Sequence, residues 1–187
     1  MLDAALVAVA DAAPGPVRVA DIATRAGMSA GHVMYYFQDR DTIVAETLLH
    51  AEEKLAAVRD RRLARARDGR SAVEALVRLY LPAGRSDPRW KLWAQLLASP
   101  PGDTATRTAL AQVIEGWSDA VADAIRRGCA EGSFDCPDAE RSAYQVCRLM
   151  DGYALEILLG APGRTRSWAV RDVRDYLLGS LTVVRDR

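Results

Sequence analysis

Apolar positions recur at helical spacing along almost the whole chain, whereas alternation of apolar and polar positions never lasts. Spacings of three and four residues place side chains on one face of a helix, and alternation would indicate a strand. The pattern therefore predicts an all-α protein. Glycine, proline and capping residues divide it into nine helices, with predicted ranges 2–13, 19–26, 30–37, 40–67, 71–81, 88–98, 103–130, 137–159 and 165–184.

Residues 19–37 are predicted to form two short helices joined by a turn. The first has one apolar face and ends at Gly27, because a residue without a Cβ atom best adopts the left-handed conformation there. Ser29 is the predicted N-cap of the second helix. Val33 and Phe37, four residues apart, form the apolar stripe of that helix and leave its other face and its N-terminal end free. The arrangement is that of a helix-turn-helix.

Proline and aspartate mark the ends of other predicted helices. Pro14, Gly15 and Pro16 end the first helix, Asp39 caps the long fourth helix, and Pro137 lies at a first-turn position, where its missing N–H costs nothing. At about 1.5 Å per residue the fourth helix reaches roughly 40 Å. We therefore expect it to join two domains.

The charge of the chain gives no indication of a polyanionic partner. The formal net charge is zero, from 25 basic and 25 acidic residues, and residues 1–45 carry three arginines against five aspartates. Phosphate neutralisation normally supplies much of the affinity of a DNA-binding protein. We therefore expect modest DNA affinity from this segment, unless basic residues precede Met1.

Composition argues against an enzyme and against a membrane span. The chain has two histidines and no Glu-x-x-His pair, so it lacks the ligands of a di-metal site, and no metal or cofactor is expected. Its apolar runs are interrupted or too short to cross a bilayer. The three cysteines are an odd number without metal-ligand spacing, which predicts free thiols in a reducing cytoplasm.

The segment 20–43, ADIATRAGMSAGHVMYYFQDRDTI, resembles the signature of the TetR family of bacterial transcription regulators. The matching features are Ile-Ala in the first helix, Ala-Gly before the turn, the serine cap, the following glycine, Tyr-Phe, and a basic residue opening the fourth helix. Arg18 and Met34 depart from the pattern, since a capping threonine and an aromatic residue are usual there. The segments 128–134, GCAEGSF, and 151–153, DGY, resemble a betaine-regulator-like branch of the family.

The resemblance implies a helix-turn-helix DNA-binding domain over residues 1–48 and a ligand-binding and dimerisation domain over residues 49–187. A helix fits the major groove of DNA, where an imidazole or a phenol can bond base edges or phosphates. The implied DNA-binding residues are Ser29, Ala30, Gly31, His32, Tyr35, Tyr36 and Arg40. The implied effector-binding residues are Trp90, Trp93, Trp117, Met150 and Tyr153, although large aromatic residues also fill any helical core.

These features predict a ligand-responsive transcriptional regulator. In this hypothesis a homodimer, formed through the last two helices, represses by binding a palindromic operator and is released by a small, mostly apolar effector. The alternative is a helical binding or scaffold protein whose helix-turn-helix has lost DNA function, an interpretation with which the acidic balance of residues 1–45 is compatible.

Overall fold

The computed structural model describes residues 1–11, 17–37 and 39–180, with the side chains of 178–180 left out of the description. This part of the chain forms nine α-helices and no strand, which confirms the predicted all-α class. The helices are α1 (Leu2–Asp11), α2 (Val19–Ala26), α3 (Ala30–Tyr36), α4 (Arg40–Ala64), α5 (Gly69–Tyr80), α6 (Pro88–Ala98), α7 (Thr104–Ala130), α8 (Ala139–Leu159) and α9 (Arg166–Ser180). None of these helices has the length and apolarity needed to span a bilayer.

The predicted junction between the fourth and fifth helices was wrong by several residues. Helix α4 ends at Ala64 instead of residue 67, and α5 begins at Gly69 instead of residue 71. The reason for the early start is Asp68, whose carboxylate accepts the backbone N–H of Ser71 at 2.7 Å, while the Ser71 hydroxyl accepts the Asp68 N–H at 3.1 Å. This reciprocal capping box fixes the first turn of α5.

The start of α8 also differs from the prediction. The helix begins at Ala139, and the side chain of Asp138 accepts the backbone N–H of Arg141 at 2.8 Å as its N-cap. Pro137 therefore precedes the cap and does not lie in the first turn. The predicted break at residues 14–16 and the predicted continuation of the last helix to residue 184 fall outside the described residues.

The chain divides into two compact units. We call Met1–Lys54 with Ser86–Val113 the head unit, and Leu55–Arg85 with Ile114–Arg187 the body unit. Helices α4 and α7 are each continuous through both units. These units are defined by packing, and the division of function between residues 1–48 and 49–187 stays a prediction.

The head unit has one apolar core shared by α1 to α4, α6 and the start of α7. Helix α1 packs against both α2 and α6, and α2 packs against α3. The buried core side chains are Ala5, Ala8, Val9, Val17, Ile22, Ala23, Val33, Phe37, Ile43, Val44, Ala45, Leu48, Leu92, Leu96 and Leu110. Helix α6 is therefore part of the unit that carries the helix-turn-helix.

Polar side chains spaced four residues apart on α6 bind the first and fourth helices. The Lys91 ammonium donates to the carbonyls of Val9 and Ala10 at 3.3 and 3.0 Å, near the end of α1, where a cation is favourable. The Ser99 hydroxyl donates to the Asp41 carboxylate at 2.7 Å, in the first turn of α4. Since positions i, i+4 and i+8 share a helix face, residue 95 lies between these two contacts.

In the body unit, a close glycine contact joins α5 to the end of α7. A Cβ atom added to Gly69 would lie 2.2 Å from the backbone nitrogen of Gly128, and one added to Gly128 would lie 2.2 Å from the Phe134 ring. The Gly69 N–H donates to the Glu131 carboxylate at 2.7 Å. Close packing thus gives a physical reason for Gly128 of the segment GCAEGSF, and a left-handed backbone with φ of 73° gives one for Gly132.

Candidate nucleic-acid interface and candidate effector site

The turn between α2 and α3 is built as its sequence predicts. Gly27 adopts a left-handed conformation with φ of 66° and ends α2. The Ser29 side chain accepts the backbone N–H of His32 at 3.1 Å and caps α3. Val33 is fully buried and anchors α3 against the head core. Local capping and one apolar anchor therefore fix the orientation of this short helix.

Every residue of α3 except Val33 is exposed, including the predicted contact residues of this helix. Tyr35 and Tyr36 are 84% and 60% exposed, and their rings meet edge to face at 5.5 Å. The His32 ring meets Tyr36 in the same manner at 5.3 Å. Ala30 and Gly31 lie at the exposed N-terminal end of the helix. The surface thus combines small residues at the tip with hydrogen-bonding rings behind them.

Arg40, at the start of α4, is held inside the head unit. Its Nε donates to the Val17 carbonyl at 3.1 Å, its Nη1 pairs with Asp41 at 2.9 Å, and its Nη2 donates to the Gln95 side chain of α6. The side chain is still 32% exposed. Each terminal nitrogen of a guanidinium carries two N–H groups, so these contacts leave donors for a further acceptor. Sequence reasoning missed Gln95, which lies 55 positions away along the chain.

The other arginines of the head unit near α2 differ in their surroundings. Arg25 pairs with Asp11 at 2.8 Å, so its charge is compensated. Arg18 is the N-cap residue of α2 without a side-chain capping bond, is exposed, and makes no ion pair within the described residues. A free cation at a helix N-terminus suits a phosphate. Arg18 is therefore a candidate contact that the sequence interpretation treated only as a departure from the family pattern.

Two of the predicted effector residues, Trp90 and Trp93, lie on α6 in the head unit and are half-buried. The Trp93 Nε1 donates to the Glu52 carboxylate at 3.1 Å, and Arg89 pairs with the same carboxylate at 3.0 Å. Glu52 and Arg89 are both buried. The indole N–H of Trp93 thus belongs to a buried charge network between α4 and α6.

The other three, Trp117, Met150 and Tyr153, lie in the body unit. Met150 is fully buried, and Trp117 is 4% exposed. The Tyr153 hydroxyl bonds Asp172, and its ring meets Trp168 edge to face at 4.9 Å. Partial burial and the neighbouring carboxylate raise the pKa of Tyr153 to about 12, so its hydroxyl stays protonated and donates.

A separate pocket opens in the body unit between α5 and α9. Its floor is apolar, and Arg70, Glu74 and Arg174 stand among its lining residues. The apolar lining consists of Val73, Val77, Phe134, Val170 and Leu177. None of the five predicted effector residues lines this pocket. The predicted effector set and this pocket are therefore different places.

The three cysteines are free thiols, with Cys147 buried and Cys129 and Cys136 half-buried. Burial raises the pKa of the Cys147 thiol and that of the Cys129 thiol. No group of His, Cys, Asp and Glu side chains in the described ranges has the arrangement of a metal site. Both thiols with raised pKa are therefore poor nucleophiles near neutral pH.

Known sequences resemble both parts of the chain. Residues 1–47 match the family described as bacterial regulatory proteins, tetR family, and residues 69–182 match the BetI-type transcriptional repressor, C-terminal family. The transcriptional regulator BetI of Burkholderia ambifaria is 28% identical over 195 residues, covering 95% of this chain and 90% of that protein. BetI of Paraburkholderia xenovorans is 29% identical over 189 residues, covering 95% and 89%.

A solved structure of similar fold supports the same assignment. A transcriptional regulator of Saccharomonospora viridis in complex with choline superposes with a TM-score of 0.84 at 25% sequence identity, covering 96% of this chain and 94% of that one. The family matches together include more than half of the chain. The protein belongs to the TetR family of bacterial transcriptional regulators, with a C-terminal region of the BetI type, and is not an enzyme.

Proposed function

We propose that this regulator is a cytoplasmic homodimeric repressor that binds a palindromic operator and is released by a small, mostly apolar effector. The observation that carries the DNA-binding part is the exposure of His32, Tyr35 and Tyr36 on α3, a helix that the buried Val33 holds in place. Exposed aromatic and imidazole side chains on a rigidly held helix are unfavourable for solubility and favourable for a groove contact.

In this proposal the tip of α3 enters the major groove. Ala30 and Gly31 allow the backbone close to DNA, His32 bonds a base edge, and Tyr35 and Tyr36 contact phosphates. Ser29 keeps the tip in place through its cap to the His32 N–H. Arg40 donates its remaining N–H groups to a phosphate while Gln95 and Val17 hold the guanidinium.

Exposed apolar side chains on α8 and α9 support the proposed dimerisation through these helices. Tyr144, Leu155 and Leu159 on α8 are 57%, 57% and 74% exposed, and Tyr176 on α9 is 42% exposed. Positions 144, 155 and 159 share one face of α8, because eleven residues make about three helical turns. A two-fold axis beside this face builds a four-helix interface and sets two α3 helices about 34–36 Å apart on a palindrome.

The effector class we propose is a choline-like quaternary ammonium. The similar regulator of Saccharomonospora viridis was solved with choline. A trimethylammonium group presents mostly apolar methyl surface and is recognised by aromatic rings. The predicted effector residues Trp90, Trp93, Trp117 and Tyr153 are aromatic, and Met150 adds a polarizable apolar side chain.

A mobility-shift assay on the promoter region beside its own gene tests the function. Wild-type protein should bind there specifically, and choline should release it in a dose-dependent manner. His32→Ala should weaken binding by about 1–3 kcal/mol and relax the base preference at one position of each half-site. Selection from randomised DNA that yields no preferred site would favour the scaffold alternative.

A further inference from the structure

An arginine of α4 covers a buried indole in the body unit. Trp117 of α7 is 4% exposed, and its ring meets the ring of Tyr80 from α5 edge to face, at 5.1 Å between centroids and 85° between planes. The Arg59 guanidinium stands over the Trp117 ring, with Cζ 5.4 Å from the centroid. Three helices therefore bring one cation and two aromatic rings together.

The polar contacts that hold Arg59 over the indole are weak. Its Nη1 donates to the Gly116 carbonyl at 3.3 Å, and its Nε lies 3.5 Å from the carboxylate of Asp60, whose side chain is 71% exposed. The Arg59 side chain is 20% exposed, so it separates the indole from solvent. A long, solvent-exposed ion pair contributes little. Another cation that reaches the indole therefore has little to overcome in replacing this one.

The aromatic pair is hydrogen-bonded to a carboxylate through the Tyr80 hydroxyl. The Tyr80 hydroxyl donates to Asp151 of α8, and Asp151 also pairs with Arg148 at 3.1 Å. Burial, followed by the negative charge of Asp151, raises the pKa of Tyr80, so the phenol remains a neutral donor. The Asp151 side chain is 39% exposed. The cluster thus offers a cation the face of the Trp117 ring, with the Tyr80 ring and the Arg148–Asp151 ion pair beside it.

We propose that the face of Trp117 now covered by Arg59 is the binding site for the cationic group of a quaternary-ammonium effector, and that Arg59 is a tethered occupant which the effector displaces. This site rests on the proposed function: it is where the proposed effector would bind, and Arg59 is the group with which that effector would compete. A quaternary ammonium donates no hydrogen bonds, so it loses less on leaving water for a buried ring than a hydrogen-bonding cation does. The Arg59 guanidinium carries the same positive charge and occupies the position over the ring that the quaternary ammonium would take.

Displacement of Arg59 gives the effector a route to the DNA-binding end of α4. Arg59 and Arg40 both lie on this one helix. The bound effector removes the contact between α4 and the indole of α7, so it binds more tightly to a state in which α4 is free of that contact. Such differential affinity is what shifts a conformational equilibrium.

The test is calorimetric titration of choline, without DNA, into wild-type protein and Arg59→Met. Loss of the competing cation should make choline bind about three- to thirtyfold more tightly to Arg59→Met. The matched control is Arg164→Met, because Arg164 also stands over an indole, that of Trp168, at 4.1 Å. This control should leave choline affinity unchanged.

Two further measurements identify the site and the charge. Trp117→Leu should abolish choline binding, and Trp117→Phe, which keeps an aromatic ring and the core volume more closely, should weaken it severalfold. The neutral isostere 3,3-dimethyl-1-butanol should not bind. Equal or weaker choline binding by Arg59→Met, or binding of the neutral isostere as tight as that of choline, would overturn the proposal.

Failure of this effector site can be distinguished from failure of the proposed function. Operator binding without effector depends on the head unit, so specific DNA binding combined with no choline binding by either wild type or Arg59→Met rejects this site alone. Tighter choline binding by Arg59→Met in a protein that selects no DNA supports the site and rejects the repressor. In a functional repressor, Arg59→Met should bind choline more tightly yet release the operator less completely.

Discussion

A substitution at Gly31 can separate an effect on DNA binding from an effect on folding. A Cβ atom there would meet nothing closer than the Ser29 hydroxyl at 4.0 Å, so alanine fits without strain. Alanine is the better helix former by about 1 kcal/mol. Gly31→Ala should therefore raise the free energy of unfolding slightly and still weaken operator binding, because in the proposed interface the methyl group stands where DNA approaches. Denaturation and shift assays on the same protein check both parts, and unchanged binding would remove Gly31 from the interface.

Arg40 and Gln95 are predicted to affect DNA binding in different ways. Arg40→Ala removes the proposed phosphate contact, so affinity should fall for all sequences and the slope of log K against log salt should decrease in magnitude by about 0.9. Gln95→Leu removes the acceptor of the Arg40 guanidinium and of the Val17 N–H but no charge, so affinity should fall at an unchanged slope. Binding titrations across salt concentrations measure this.

The same pair provides a control for charge. Arg40→Lys keeps the charge but loses the fork that binds Val17 and Gln95 at once. It should therefore bind DNA less tightly than wild type. Identical slopes for wild type and Arg40→Ala would show that Arg40 acts only within the head unit.

At the scale of helices, the buried pair Glu52–Arg89 joins α4 to α6. Both side chains are nearly inaccessible, at 5% and 10% exposure. Glu52→Ala leaves the Arg89 charge and the Trp93 N–H without this acceptor, so the free energy of unfolding should fall by about 3–5 kcal/mol. The double variant Glu52→Met/Arg89→Met should lose less, because apolar side chains replace both members of the buried ion pair.

Chemical denaturation measures this loss. Asp123, whose side chain is 73% exposed and pairs with Arg126, supplies the surface control, and Asp123→Ala should change stability little. Equal effects of Glu52→Ala and Asp123→Ala would contradict the role of burial.

The capping box of α5 predicts an acid-dependent contribution to stability. The Ser71 backbone N–H, and then the Ser71 side chain, lower the pKa of Asp68 below its usual 3.8. The unfolded state therefore takes up the proton first, so the contribution is complete above pH 3.8 and is lost as the pH falls through the lower native value. Asp68→Asn should have a lower Tm than wild type near neutrality, with the difference shrinking below pH 3.8.

Thermal melts over pH measure the difference between Asp68→Asn and wild type. The exposed Asp119 of α7 provides the control, and Asp119→Asn should show no such convergence. A Tm difference for Asp68→Asn that is constant with pH would contradict the charged cap.

For the whole molecule, the exposed face of α8 predicts the oligomeric state. Leu155→Arg/Leu159→Arg places charges in the proposed interface and should convert a dimer to a monomer with weak operator binding, because two linked heads no longer share one DNA. Leu97→Arg on α6 is the control, since Leu97 and Leu159 are both 74% exposed. Analytical ultracentrifugation measures the oligomeric state of the wild type and of each variant. A wild-type monomer, or a double variant that remains dimeric, would contradict this interface.

Local features were predicted well because their causes lie within a few residues. Gly27, Ser29 and Asp39 were predicted as caps from residue type and position, and the structure confirms each, with the Asp39 carboxylate accepting the Thr42 N–H at 2.7 Å. The missed start of α5 also has a local cause, the Asp68–Ser71 capping box, so this signal was present in the sequence and was not used.

The sequence by itself determined the helical class, the helix-turn-helix and the family, because periodicity and caps act over three or four positions. Only the tertiary structure decided which distant side chains meet: Gln95 with Arg40, and Arg59 with Trp117. Such pairs depend on how helices pack, and nothing in the local pattern of either partner identifies the other. The predicted contacts of α3 lie on one helix, so local sequence was enough to identify them. The candidate effector site combines side chains from three helices, so local sequence was not enough.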